Sequence, residues 1–109
     1  MGEIVIVEER IYTLYPGKQA EYLATYEKEG LAIQKRILGN LVGYYTTEAG
    51  PLNQVVHMWG YDGFEDRLRR RKELFANQEW LAYVGKIRPM IMTQESKILI
   101  PAPFFTPKS

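Results

Sequence analysis

The chain has 109 residues, 14 lysines and arginines against 13 aspartates and glutamates, and no cysteine. A formal net charge of +1 gives no global electrostatic reason for a nucleic-acid or acidic-membrane partner. The missing cysteines exclude disulfides, thiolate metal sites and cysteine nucleophiles.

A 46% hydrophobic chain of this length predicts one domain, residues 1–109, that buries about two-thirds of its unfolded surface. No apolar run approaches the roughly 20 residues of a membrane span. Met1-Gly2-Glu3-Ile4 has no basic segment followed by a long apolar one, so no signal peptide is expected. Gly2 invites a myristoylation reading, but the serine or threonine of that motif is missing. These features predict a soluble, cytoplasmic protein.

Ile4 to Leu14 reads as the first strand, closed by Tyr15-Pro16-Gly17. Glu8, Arg10 and Tyr12 share one of its faces, while Glu9 shares the other with Val7, Ile11 and Thr13. A helix follows to about Leu38, with Ala20, Leu23, Gly30 and Ile37 at helical spacing and Gly39-Asn40 to end it. Gly30 inside it marks a close approach, expected against the sheet. Leu41 to Glu48 is a second strand, joined through Ala49-Gly50-Pro51-Leu52-Asn53 as a hairpin to the third.

That third strand, from Leu52 to Tyr61, is crowded on both faces. Val55, His57, Trp59 and Tyr61 alternate with Gln54, Val56, Met58 and Gly60, and neither set is plainly polar. Asp62 then caps a helix whose inner face is marked by Phe64, Leu68 and Phe75 or Leu74. After Asn77-Gln78 a second helical spacing runs to Pro89. Met92 to Ile100 forms a fourth strand, and the proline-rich tail, residues 101–109, packs on a surface through Phe104 and Phe105.

Strand, helix, strand, strand, helix, strand is the ferredoxin-like β-α-β-β-α-β order. It predicts an α+β fold: a four-stranded antiparallel sheet, first and third strands central, with helices on one face. Val56 and Met58 are expected toward the helices, and Trp59, Tyr61 and Tyr45 on the open face. So large an apolar face calls for a cover, and a second copy supplies it with one self-complementary surface. A homodimer enclosing a barrel-like space between two sheets is the result.

The run LVGYYTTEAGPLNQVVHMWGY (residues 41–61), with RIYTLYPGK (10–18), RLRRR (67–71) and ILIPAPF (98–104), resembles the NIPSNAP family along nearly the whole chain. The resemblance implies a dimeric α+β barrel. The family's biochemical activity is poorly defined, and the vesicle-transport and mitochondrial roles of its eukaryotic members are not carried over. Glu9 departs from the apolar residue the family pattern leads one to expect. Wider superfamily relatives include cofactor-free monooxygenases and haem-processing enzymes, an analogy of fold alone.

His57, the only histidine, is the candidate catalytic residue: a general base, proton shuttle or haem ligand, or else a histidine that only holds a strand to its neighbour. Glu8, Arg10, Tyr12, Tyr45, His57, Trp59 and Tyr61 are the candidate ligand-binding set. They suit a small apolar or aromatic ligand, unless Glu8 and Arg10 form only a salt bridge and Trp59 and Tyr61 only dimer packing. No metal site is expected, and no cofactor beyond haem, which the superfamily analogy admits. The basic run from Arg67 to Lys72 reads as a solvated, ion-paired helix face, without a nucleic-acid motif. Two function classes stand at this point: a small ligand-binding homodimer, and a cofactor-independent or haem-linked oxidoreductase.

Overall fold

The computed structural model describes residues 3–109, so Met1 and Gly2, with the leader and acyl readings that fall on them, lie outside the described residues. The elements are β1 (Ile6–Leu14), α1 (Gln19–Thr25), a π-helical turn (Tyr26–Gly30), α2 (Leu31–Leu38), β2 (Asn40–Thr46) and β3 (Gln54–Tyr61). Then come α3 (Phe64–Phe75), α4 (Gln78–Ile87), a 3-10 turn (Arg88–Met90) and β4 (Ile91–Leu99). All four strands pair antiparallel in the order β2-β3-β1-β4, with β1 and β3 central, as the ferredoxin-like order predicts. No helix among the described residues is long and apolar enough to cross a membrane.

The β1–β3 register sets Glu8 opposite Trp59, Arg10 opposite His57 and Tyr12 opposite Val55. One sheet face therefore carries Ile6, Glu8, Tyr12 and Leu14 beside Val55, His57, Trp59 and Tyr61, and every one of these is buried in the single chain. Their aromatic neighbours Tyr22 and Tyr26 come from the first helical hairpin arm, so this face lies under the helices. The expected assignment is inverted. His57, Trp59 and Tyr61 point to the helices, whereas Val56 and Met58, only partly buried, lie on the helix-free face. The reason is volume: a sheet and a helix layer stand about 10 Å apart, and large rings fill that gap to the density of an interior.

Glu9, the residue out of pattern, stands on the helix-free face opposite Met58 and Lys97, with its carboxylate 3.5 Å from Lys97 Nζ. An extended position beside a lysine tolerates the charge that an inward position would not.

Helix α3 also turns differently from expectation. Phe64 and Leu68 are 62% and 67% exposed, and only Leu74 of the apolar set is buried. The inward side instead carries Arg67, Arg70 and Arg71. Arg70 donates to the main-chain carbonyl of Ile37 in the last turn of α2 (3.0 Å), where a cation complements the helix dipole. It also donates to Asp66 at 2.9 Å. The basic run is thus only partly a solvated face. Gly63 rather than Asp62 occupies the N-cap of α3. Asn77 caps α4 by accepting from the Trp80 main-chain N–H at 2.9 Å, worth about 1 kcal/mol.

In the tail Phe104 is 93% exposed and Phe105 largely so; Pro107 alone is buried. The expected packing of those two rings is therefore not met within the chain.

Gly30 closes the π-helical turn, and its neighbour is α4, not the sheet. A Cβ there would lie 2.8 Å from Tyr83 Cζ and 3.0 Å from the Tyr26 ring. Tyr83 is itself buried, with Tyr26 and Trp80 packed beside its ring, so a shift must disturb those contacts. A Gly30→Ala variant gains about 1 kcal/mol of helix propensity but overpacks this contact by about 1–3 kcal/mol. Urea denaturation should show net destabilisation with an unchanged m-value.

Candidate functional site

Glu8 is completely buried in the middle of β1 and is bonded from three elements. Arg10 Nη1, on the same strand, donates to Oε2 at 2.9 Å. From α3, Arg67 donates Nε to Oε1 at 3.1 Å and Nη2 to Oε2 at 2.9 Å, a two-pronged clamp. The Ser96 hydroxyl donates from β4. Burial alone would raise the carboxyl's pKa; the Arg67 and Ser96 bonds and the charges of Arg10 and Arg71 outweigh it and bring it down to about 2. Glu8 is therefore an anion throughout the physiological range. The salt bridge to Arg10 is real, and it is one strand of a larger network.

His57 is 1% exposed, stacked on the Tyr44 ring at 4.8 Å and met edge-on by Tyr12 at 4.9 Å. Its Nδ1 accepts a 2.7 Å hydrogen bond from Trp59 Nε1–H. Indole can only donate, so Nδ1 must keep its lone pair, and the proton of the neutral ring resides on Nε2. Burial, helped by the positive charges of Arg10 and Arg71 and opposed by Glu8, lowers the imidazole pKa to about 3. The ring thus stays neutral with Nε2–H as a donor, and Nε2 has no partner among the described residues. In this tautomer neither nitrogen has a lone pair to give. In that tautomer His57 fits neither a general base nor an axial haem ligand.

A cavity of about 510 Å³ opens between the sheet and the helices, with Arg10, Tyr12, His57, Trp80 and Tyr83 in its wall. It lies within the single chain, on the opposite side of the sheet from the space expected between two sheets. Tyr22 and Tyr26 also line it. The Tyr26 hydroxyl donates to Gln34 Oε1 at 2.6 Å, and the Tyr22 and Tyr44 hydroxyls stand 3.4 Å apart. Burial raises the phenols of Tyr22, Tyr26, Tyr44 and Tyr83 well above the ordinary range, so none is a base near neutrality. Two more donors in this wall, Trp80 Nε1 and the Tyr83 hydroxyl, are buried without a partner among the described residues.

Residues 7–106 match the model of the NIPSNAP family. The chain belongs to that family. Among solved structures, an uncharacterized NIPSNAP-like domain protein from Burkholderia xenovorans is 50% identical, covering 98% of this chain and 93% of its own, with a TM-score of 0.93. A NIPSNAP family protein from Agrobacterium tumefaciens is 49% identical over 92% of this chain and 95% of its own, with a TM-score of 0.90. The NipSnap homolog of Dictyostelium discoideum is 38% identical over 92% of this chain but only 44% of its own length. This NIPSNAP chain thus spans less than half of that relative. A dimeric ferredoxin-like protein from an uncultured marine organism, 9% identical with a TM-score of 0.70, shares the fold alone.

Of the candidate residues, the NIPSNAP structure brings Glu8, Arg10, Tyr12, His57, Trp59 and Tyr61 to one face. Arg10, Tyr12 and His57 reach the cavity, while Glu8 holds Arg10 and Trp59 holds His57 by hydrogen bonds. Tyr61, its hydroxyl pKa pushed up to about 12 by burial and the nearby Glu8 charge, has no hydrogen-bond partner among the described residues. Tyr45 is a correction: it pairs with Val56 and is 60% exposed on the helix-free face. A bulge between Leu41 and Gly43 shifts the parity of β2, so Tyr44 takes the place beside His57. Trp59 and Tyr61 are interior residues, not dimer packing. Sequence reading missed Tyr22, Tyr26, Tyr83 and Trp80, whose spacings of four and three along their helices were the available signal. It also missed Arg67 and Ser96, which no local pattern connects to Glu8.

His57 gives the protein a pH dependence whose sign is fixed. Its folded pKa, about 3, is below the usual 6.5, so the unfolded chain binds the proton more readily. Its stabilising contribution is complete above about pH 6.5 and is lost as pH falls toward 3. Because the chain has one histidine, denaturation free energies should fall between pH 6.5 and 5, with a slope approaching about 1.4 kcal/mol per pH unit at the lower end. In His57→Gln that slope should flatten.

Proposed function

We propose that this NIPSNAP protein is a homodimer that binds a small apolar or aromatic molecule in the cavity between sheet and helices of each protomer. One observation carries the reading. Three residues of the cavity wall, His57, Trp80 and Tyr83, each carry a buried donor with no hydrogen-bond partner among the described residues. Leaving such groups unpaired costs about 1–3 kcal/mol each, a cost that a ligand with acceptor atoms relieves. A volume of about 510 Å³ is within the roughly 300–1,000 Å³ of ordinary small-molecule sites. Binding is preferred to oxidoreductase chemistry because His57 has no free lone pair and the phenols stay protonated. Native mass spectrometry of the purified protein should reveal a bound small molecule that is absent from Val84→Trp, a variant that fills the cavity. Protein without a companion, and without a thermal shift across a panel of aromatic compounds, would count against the reading.

The homodimer rests on the helix-free face, where Val56, Met58 and Ile11 are half-buried and Tyr45 is exposed. Trp59 and Tyr61 do not contribute to that face, but Ile11, Val56 and Met58 still form an apolar strip on its central strands beside the Glu9–Lys97 pair. A second copy is the economical cover. Light scattering should return about twice 12.7 kDa at low micromolar concentration. Met58→Glu, which sets a second carboxylate opposite Glu9, should return the monomer mass.

A further inference from the structure

The charge lining the cavity is one-sided. Two guanidinium groups, those of Arg10 and Arg88, are in its wall, and none of its lining residues is an aspartate or glutamate. Arg10 is 14% exposed and uses Nε on the Tyr12 hydroxyl (3.1 Å) and Nη1 on Glu8. Its Nη2 makes no hydrogen bond among the described residues, although a guanidinium offers donors there too. Glu8 cannot absorb more cation, since it already accepts from Arg10, Arg67 and Ser96. Arg88 is exposed and has no ion pair among the described residues. A third cation stands close by: Arg71 lies over the ring of Phe75, itself a wall residue, at 5.4 Å, and makes no salt bridge among the described residues. Burial lowers its pKa, with Arg10 adding to the effect and the Glu8 carboxylate opposing it.

We propose that the molecule bound in the cavity is an aromatic monoanion, a carboxylate, seated on Arg10 Nη2 with its ring among Tyr12, Tyr26, Trp80 and Tyr83. The charges supply the first half of the description and the walls the second. A carboxylate satisfies a single guanidinium edge in a largely apolar surround, whereas a phosphate dianion would set a second charge against the aromatic rings of the wall. The uncharged donors in the wall, His57 Nε2–H and the Tyr83 hydroxyl, suit acceptor oxygens elsewhere on the same ligand. This assignment rests on the cavity being a binding site at all, and the test separates the two.

The probes are naphthalene-2-carboxylate and its neutral isostere naphthalene-2-carboxamide, titrated calorimetrically into the full chain at pH 7.5. The carboxylate should bind at least about tenfold tighter, the contribution of one charge-assisted contact. Raising sodium chloride from about 50 to 500 mM should erode carboxylate binding and leave the carboxamide unchanged, a readout that needs no variant. In Arg10→Gln, with folding checked by circular dichroism, the two affinities should converge to within about twofold. Equal binding of both probes to the native protein would overturn the anion assignment and leave the cavity as a neutral aromatic site. Binding of neither at millimolar concentration would overturn the cavity reading itself, and this inference with it.

Discussion

A single buried carboxylate holds this architecture in register. Glu8 sits on a central strand with no access to water, which would be costly by several kcal/mol if it were alone. It is not alone: it ties its own strand to α3 through Arg67 and to the edge strand β4 through Ser96. Three segments far apart in the chain meet on one pair of oxygens, and each meeting is directional. A hydrophobic contact in the same place would tolerate a slide of α3 along the sheet; the bidentate guanidinium does not. The inward turn of the arginine-rich side of α3, and with it the outward turn of Phe64 and Leu68, follows from this one anchor.

From the anchor the polar order spreads toward the cavity. Arg10, held by Glu8, donates Nε–H to Tyr12; Tyr12 meets His57 edge-on; and His57 accepts a hydrogen bond from the Trp59 indole N–H. Each link fixes the orientation of the next, so the side chains of Arg10, Tyr12 and His57 are held in place by the protein itself. Such preorganisation lowers the entropy cost of binding. The histidine is the instructive case. Its value lies in having its tautomer decided by a neighbour that can only donate, and that makes it a fixed dipole where the sequence suggested a reagent.

The order of elements, the antiparallel sheet and the central place of β1 and β3 were legible in the sequence, because period-two and period-3.6 patterns survive wherever one side of an element is buried. That Glu8 and Arg10 share a face was legible too, from parity; that His57 joins them follows only from the β1–β3 register. Which side of β3 met the helices was not, because both of its faces are apolar and parity only says that two faces differ. Tyr44 escaped because one bulged residue reverses parity in β2 and leaves no mark in composition. Arg67 and Ser96 escaped for another reason. Their partner is 59 residues away from one and 88 from the other, and nothing local signals a contact at that range.

The π-helical turn at Tyr26–Gly30 makes the first helical arm one residue out of step with an α-helix, the Leu31 N–H reaching back to the Tyr26 carbonyl. Each residue of an α-helix turns the chain by about 100°. Both sides of the turn are committed: Tyr22 and Tyr26 face the cavity, and Ile33, Ile37 and Leu38 face the core. Removing one residue here would restore regular helix and swing one of those two sets away from its neighbours. A segment that looks like uninterrupted helix is thus as intolerant of a change in length as any tight turn. Related chains should vary in length across the β2–β3 connection long before they do so between Tyr22 and Ile37.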